Sequence, residues 1–344
     1  MVKNSFKRKS FLIGFIFIFG MLLSSFIYMG FWGDEVKEMD MLRYENGKYM
    51  KPPYSPLEYP PLGTDNFNRN VLLVIMVGAK YTIGAAIIIS ALRVFPSVLI
   101  GLFLYFYMGK LRKIINTVID ATNYFPQTLL AFLLMIWVMK EGPLVSPDTY
   151  SYSFEDRIVI YILILAFISI PSLSQLFSNE VKKIMSYEFI DSARVLGATK
   201  RDFVLKHIKP FIIPQIFLVF IREFIAVMLL ISHLGVLGIF IGGATLSSDV
   251  FNRPVFVSLS NEWSGLLGSW WEFLWTTYPW IPFIPVVFFT LTILSAKLML
   301  NGIIGELDHD RKNTKNNESL VDKNVNFNSE ERFSRVKHEF GKYS

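Results

Sequence analysis

Residues 11 to 32 contain no charged side chain and are almost wholly apolar. At about 1.5 Å of rise per helical residue, such a run crosses a hydrocarbon core about 30 Å thick. Comparable runs recur to residue 303, and with 52% hydrophobic and 16% aromatic residues the chain holds more apolar surface than a soluble fold of this length can bury. The reading is an all-α membrane protein with six transmembrane helices. A secretory leader would carry a shorter apolar stretch and a small-residue cleavage site, so the first run is read as a retained span.

The remaining spans are placed by apolar length and by the charges that interrupt it. Residues 71 to 108 exceed one perpendicular span and contain Lys80 and Arg93, so they are divided into an interfacial helix near 69–80 and a span near 82–108, with Pro96 as a kink. Further spans are expected at 117–139, 158–178, 211–238 and 281–303. The domain plan is then residues 1–32 as the N-terminus and first span, 33–70 as an external segment, and 71–303 as a five-helix core. A cytoplasmic tail, 304–344, is rich in Asn, Lys, Glu and Ser and reads as disordered.

Charge fixes the expected orientation. Of the 34 Lys and Arg residues, 22 fall in the N-terminus, the segment after the second span, the 179–210 loop and the tail, against 8 in the opposite segments. By the positive-inside rule both termini are cytoplasmic. The formal charge of +6 therefore reports topology, not nucleic-acid binding. The absence of Cys excludes disulfides and thiolate metal sites, and the four His show no ligand spacing. Trp263, Trp270, Trp271, Trp275 and Trp280 are expected as anchors at the bilayer interface.

Among the polar residues inside the expected spans, Arg93, Ser172, Arg222 and Glu223 are candidates for a transport path or an interhelical bridge. A charge at a helix centre costs about 2.5–3.5 kcal/mol on insertion scales, so Arg222 and Glu223 are expected to face protein or a water-filled cavity. Arg222 and Glu223 point about 100° apart and need not pair with each other. Lining of a transport path and structural bridging between helices both remain open for all four.

The most distinctive polar stretch is 187–214, YEFIDSARVLGATKRDFVLKHIKPFIIP, set between two apolar runs. Phe189, Ile190, Ala193 and Leu196 recur at helical spacing, Gly197 supplies a left-handed stop, and Thr199 with Asp202 forms the pattern of a capping box. Pro210 and Pro214 are expected to limit the second helix. A basic helix pair of this kind needs a soluble partner to cover its apolar stripe.

Asp191, Ser192, Ala193, Gly197, Ile208 and Pro210 match the spacing of the EAA loop, so the chain resembles permease subunits of binding-protein-dependent ABC importers. Two further stretches resemble the dipeptide, oligopeptide and nickel subgroup. Leu62-Gly63-Thr64-Asp65 with Arg69 is similar to its LGTD-x-x-G-R-D signature, with Asn68 and Asn70 replacing the usual Gly and Asp, and Asp120, Phe125 and Pro126 fit D-x-x-x-x-F-P. The resemblance implies a type I importer fold with 179–210 as the coupling loop. It also implies a second permease subunit, two cytoplasmic ATPase subunits and an external substrate-binding protein, with transport by alternating access. The chain carries no GxxxxGK[ST], HExxH or GxSxG pattern, so it reads as a non-enzymatic transport subunit with no cofactor, ATP being bound by the partners. Peptide is the leading substrate, with nickel chelates or oligosaccharides as alternatives; a secondary transporter or a non-transporting scaffold are the readings from other classes. The long segment 241–260 is expected to be an external loop contacting the receptor.

Overall fold

Asn70 opens a 37-residue helix by accepting hydrogen bonds from the Leu72 and Leu73 amides at 2.9 and 3.4 Å. From there the chain stays helical to Tyr107. The computed structural model describes residues 8–39, 43–45, 48–109, 111–139 and 151–307. Its helices are α1 (Lys9–Trp32), α2 (Val71–Tyr107), α3 (Leu111–Asn123), α4 (Gln127–Met139), α5 (Phe154–Ile184), α6 (Glu188–Val195), α7 (Lys200–Val236), α8 (Trp263–Trp270) and α9 (Trp280–Leu307). Two antiparallel hairpins, β1 (Arg43–Glu45) with β2 (Lys48–Met50) and β3 (Ala244–Ser248) with β4 (Pro254–Ser258), decorate the connections.

Five of these helices, α1, α2, α5, α7 and α9, are long and apolar enough to cross a membrane, and α3 with α4 make a sixth span only if the pair is counted across its 81° bend. This corrects two expectations. The division of 69–108 into an interfacial helix and a span fails, because Lys80 and Arg93 do not interrupt the helix. Lys80 is paired with Asp34, just beyond α1, and Arg93 is paired with Glu223 of α7, so each charge is compensated without a break in the backbone. The span expected at 117–139 is instead bent at Tyr124–Pro126. Proline disfavours helical geometry in the residue before it, and the turn tightens through Tyr124 N–H to Ala121 O and Phe125 N–H to Thr122 O.

Close backbone approach sets the packing. A Cβ on Gly14 of α1 would meet the Ser295 carbonyl of α9 at 2.1 Å, and one on Gly101 of α2 would meet the Ser174 carbonyl of α5 at 2.8 Å. Gly235 and Gly268 bring α7 and α8 together in the same way: added Cβ atoms would lie 2.2 Å from Ser264 O and Gly235 O respectively. Small residues allow membrane helices to gain dispersion contact where the hydrophobic effect between spans is absent. Trp263 and Trp270 are fully buried in this core, with the Trp263 indole donating to Ile75 O at 2.8 Å, which corrects their expected place at the interface. Trp271 and Trp275 are exposed.

The end of the bundle formed by 33–70 and 239–280 is held by two copies of one turn. In Asp65-Asn66-Phe67-Asn68-Arg69 and Asp249-Val250-Phe251-Asn252-Arg253, the buried Asp carboxylate accepts from the Phe amide, the Arg amide and the Arg guanidinium. In both, Asn takes a left-handed φ, +56° and +61°, and the Arg lies 5.1 Å over the Phe ring. The turns touch, with Val250 N–H donating to Asn66 O at 3.0 Å. Asn68 and Asn70 therefore keep the left-handed and capping roles that Gly and Asp would fill, since Asn tolerates the left-handed region. Segment 241–260 is thus a built hairpin. The helix expected to end at 303 runs to Leu307, where Arg8 pairs with Glu306 at 2.9 Å, and the rest of the tail, 308–344, lies outside the described residues, as does most of the expected loop 140–157.

Gly235→Val should force α8 off α7. Overpacking of this size costs about 1–3 kcal/mol, so the purified protein in detergent should lose its tertiary structure several degrees lower in a fluorescence melt, with Gly20→Val, which meets no neighbour within 4 Å, as the unaffected control.

Candidate functional site

At the other end of the bundle, α5 stops at Ile184 and the chain makes a tight hairpin before entering α7. Helix α6 is only eight residues, too short to be stable alone. It is held from below: Ile190 and Ala193 are buried in a cluster with Val94 and Val98 of α2, Leu173, Phe177 and Val181 of α5, and Phe203, Ile208 and Ile212 of α7. Gly197 ends the hairpin's first arm at φ +83°, which a residue with a Cβ reaches only with strain. Thr199 opens the second arm by a full capping box, its side chain accepting from Asp202 N–H while Asp202 accepts from Thr199 N–H.

Pro210 and Pro214 do not end the second arm as expected. Residues Phe203–Ile208 form one turn of π-helix, and the chain continues as α-helix from Lys209 to Val236 with Pro210 in its first turn and Pro214 inside. A first-turn proline lacks only an N–H that has no helical partner there, and the wider turn absorbs the change of register. Across this turn Phe189 stacks on Phe211, with centroids 6.0 Å apart and planes at 20°, while His207 lies 6.1 Å from Phe189 and 5.8 Å from Phe203. Lys200 reaches the end of α2, its ammonium 4.5 Å over the Tyr107 ring. The hairpin is therefore fixed to α2, α5 and α7 together.

Its outer surface is different in character. Val195 and Leu196, at the tip, are 88% and 87% exposed. Asp191, Ser192, Gly197 and Pro210 are also exposed, whereas Ala193 and Ile208 are buried. The Asp191–Arg194 pair, at 2.9 Å, lies in solvent on both sides and contributes little to stability. The geometry is that of a rigid projection with an apolar tip.

The polar residues within the spans are separated by the fold. Arg93, 1% exposed, donates from Nη1 to Glu223 at 3.0 Å and from Nε and Nη2 to Leu165 O at 2.9 and 2.7 Å, so one guanidinium ties α2, α5 and α7. Arg222 is exposed on the outer face of α7 and forms no hydrogen bond or ion pair among the described residues. Ser172 donates to Asn123 Oδ1, at the end of α3, and Gln175 one turn on donates to Asp120 at 2.8 Å. Sequence reasoning did not match Arg93 to Glu223, although a base in one span and an acid in another were the available signal, and it did not link Asp120 to Gln175. The repeated D-x-F-N-R also stood in the sequence unread.

Comparison with known proteins agrees with the architecture. Residues 97–308, more than half of the chain, match the family described as "Binding-protein-dependent transport system inner membrane component". Over 242 residues, 70% of this chain and 71% of the relative, the chain is 25% identical to the peptide transport system permease protein SapC of Salmonella typhimurium. It is 23% identical over the same length to the protein of that name from Escherichia coli O6:H1.

Removing one partner of a buried ion pair costs about 3–5 kcal/mol, because the other charge is left uncompensated. Arg93→Ala should therefore lower thermal stability sharply, Arg93→Ala with Glu223→Ala should recover part of the loss, and a double-mutant cycle on melts in detergent measures the coupling.

With the helical bundle, the projecting hairpin and the family match together, the chain belongs to the binding-protein-dependent transport system inner membrane components and is the permease component of such a transporter.

Proposed function

We propose that this chain is one half of the membrane channel of an ATP-driven peptide importer. The observation that carries the reading is the bare apolar tip of Val195 and Leu196 on a hairpin whose inner face is packed into the core. Two cytoplasmic ATPase subunits supply the missing cover for such hairpins, one on this chain and one on a second permease. ATP binds to those subunits and not to this chain. The hairpin end of the bundle, rich in Lys and Arg, faces the cytoplasm, and the end with the paired D-x-F-N-R turns faces the substrate-binding protein.

The second permease accounts for the outer face of α7. Arg222 lies mid-helix and is exposed in the single chain, an arrangement too costly in lipid, and Gln215, Ala226, Leu229 and His233 share its side of the helix by their spacing. In the assembled transporter this face meets the partner permease and the water-filled path. ATP-driven closure of the ATPases moves the two hairpins, and α2, α5 and α7 follow as packed bodies, opening the path to one side of the membrane at a time. Peptide as cargo is supported by the relatives, which are peptide transport system permease proteins.

Two substitutions in the hairpin test the reading. Gly197→Pro cannot adopt φ +83°, and Asp191→Lys places a cation at the amino end of α6, where the helix dipole disfavours it. Each should reduce peptide uptake by the reconstituted complex at least tenfold while the chain still inserts and copurifies with the second permease. Unchanged uptake together with normal ATPase capture would refute the coupling role.

A further inference from the structure

The bend between α3 and α4 has an arrangement that lipid cannot face. Ser172 lies near the middle of α5 (Phe154–Ile184), next to Pro171, and it holds Asn123 at the last residue of α3. One turn along, Gln175 holds Asp120. Asp120 and Asn123 are exposed, and so are Tyr124, at 89%, and Phe125 of the break itself. The non-helical backbone there is consequently uncovered.

Two independent constraints act on this notch. Asp120 is an exposed carboxylate on a membrane segment, and a carboxylate is costly wherever it meets hydrocarbon. Irregular backbone at membrane depth persists only where protein buries it or where it borders a water-filled cavity, and broken helices in transporters mark sites at which ligands meet helix ends. Here the carboxyl end of α3, a 13-residue helix whose Ala121 and Thr122 carbonyls close the turn on Tyr124 and Phe125, lies beside Asp120 at the notch. Both favour a positive group. Asn123 and Ser172 add an amide and a hydroxyl, which suit the N–H and C=O of an extended main chain.

We infer that this notch is a substrate contact in the transport path, in which Asp120 and the end of α3 receive an ammonium or other cationic group of a peptide and Asn123 with Ser172 meet its main chain. The inference rests on the peptide reading above and assigns it a place. It differs from a seam with the second permease, in which the same groups would be dry.

The chain has no cysteine, so an introduced thiol is its only one, and labelling is read on this chain after the subunits are separated. Asn123→Cys and Ser172→Cys are introduced one at a time into the full complex in membrane vesicles and exposed to a small membrane-impermeant methanethiosulfonate. Both should label, while Val159→Cys and Leu163→Cys, on the outward apolar stripe of α5, should not. Trilysine should slow labelling of Ser172→Cys by about fivefold or more, and trialanine should slow it less. In uptake, Asp120→Asn should raise KM for trilysine about tenfold and leave the maximal rate and the trialanine KM within about twofold, a split that a merely structural defect would not produce. Absence of labelling at both positions, as in a dry seam, overturns the inference, and so does labelling that neither peptide slows although the unsubstituted complex transports both. If the unsubstituted complex transports neither peptide, the peptide reading falls and the ligand class falls with it, a result that uptake alone distinguishes from a wrong site.

Discussion

Arg93 is the point at which the bundle is joined. Its guanidinium is closed off from solvent and is matched by the Glu223 carboxylate and the Leu165 carbonyl. Because a lone charge at this depth would be costly, the three helices that supply and satisfy it are constrained in register as well as in contact. Leu165 of α5 and Glu223 of α7 cannot slide along α2 by a turn without breaking these hydrogen bonds. The site also lies where the two apolar clusters of the molecule meet. Ile89 belongs to the cluster toward the paired turns, and Val94 belongs to the one beneath the hairpin.

This division gives the two ends of the bundle separate means of holding their shape. Toward the hairpin, order comes from side-chain packing around Ile190, Phe203 and Ile208. At the opposite end it comes from buried carboxylates that collect backbone amides: Asp65 and Asp249 in the twin turns, and Glu262, which accepts from the Ser264 amide and hydroxyl at 2.6 Å each. Burial pushes the Glu262 carboxyl above its ordinary range, while hydrogen bonds from Ser264, Gly265 and Ile241 act in the other direction. Polar turns of this kind keep segments with few apolar contacts in one conformation. Hairpin β3–β4 is fastened by such a turn to the start of α2, and Arg69 extends the connection to Asn261 at 3.0 Å.

Local chemistry in this chain was legible, and relations between distant residues were not. Gly197 as a left-handed stop and Thr199–Asp202 as a capping box are decided by residues within a few positions of one another, and the structure forms both. The helix from Val71 to Tyr107 was misread because Lys80 and Arg93 count as interruptions only while their partners are unknown. Those partners, Asp34 and Glu223, lie 46 and 130 residues away. The tryptophans failed for a related reason: an indole suits a bilayer interface and a buried site with a carbonyl acceptor equally well, and Ile75 supplied that acceptor to Trp263. Pro210 misled because proline forbids one hydrogen bond, not a helix, and a π turn ahead of it removes the conflict.

The same π turn bears on how movement would pass from the hairpin into the membrane. On the proposed reading a push arrives at Val195 and Leu196 and must reach α7 without being lost in the short connection between α6 and α7. A flexible joint would dissipate it. The capping box fixes the start of α7, the stack of Phe189 on Phe211 ties α6 to a point beyond the π turn, and Ile208 anchors the turn in the core. Hairpin and span are thereby one body for small displacements, and because Arg93 pins α7 to α2 and α5, rotation of that body carries three helices together. The coupling would then run through the buried contacts behind the hairpin's exposed surface, since close-packed interiors transmit displacement.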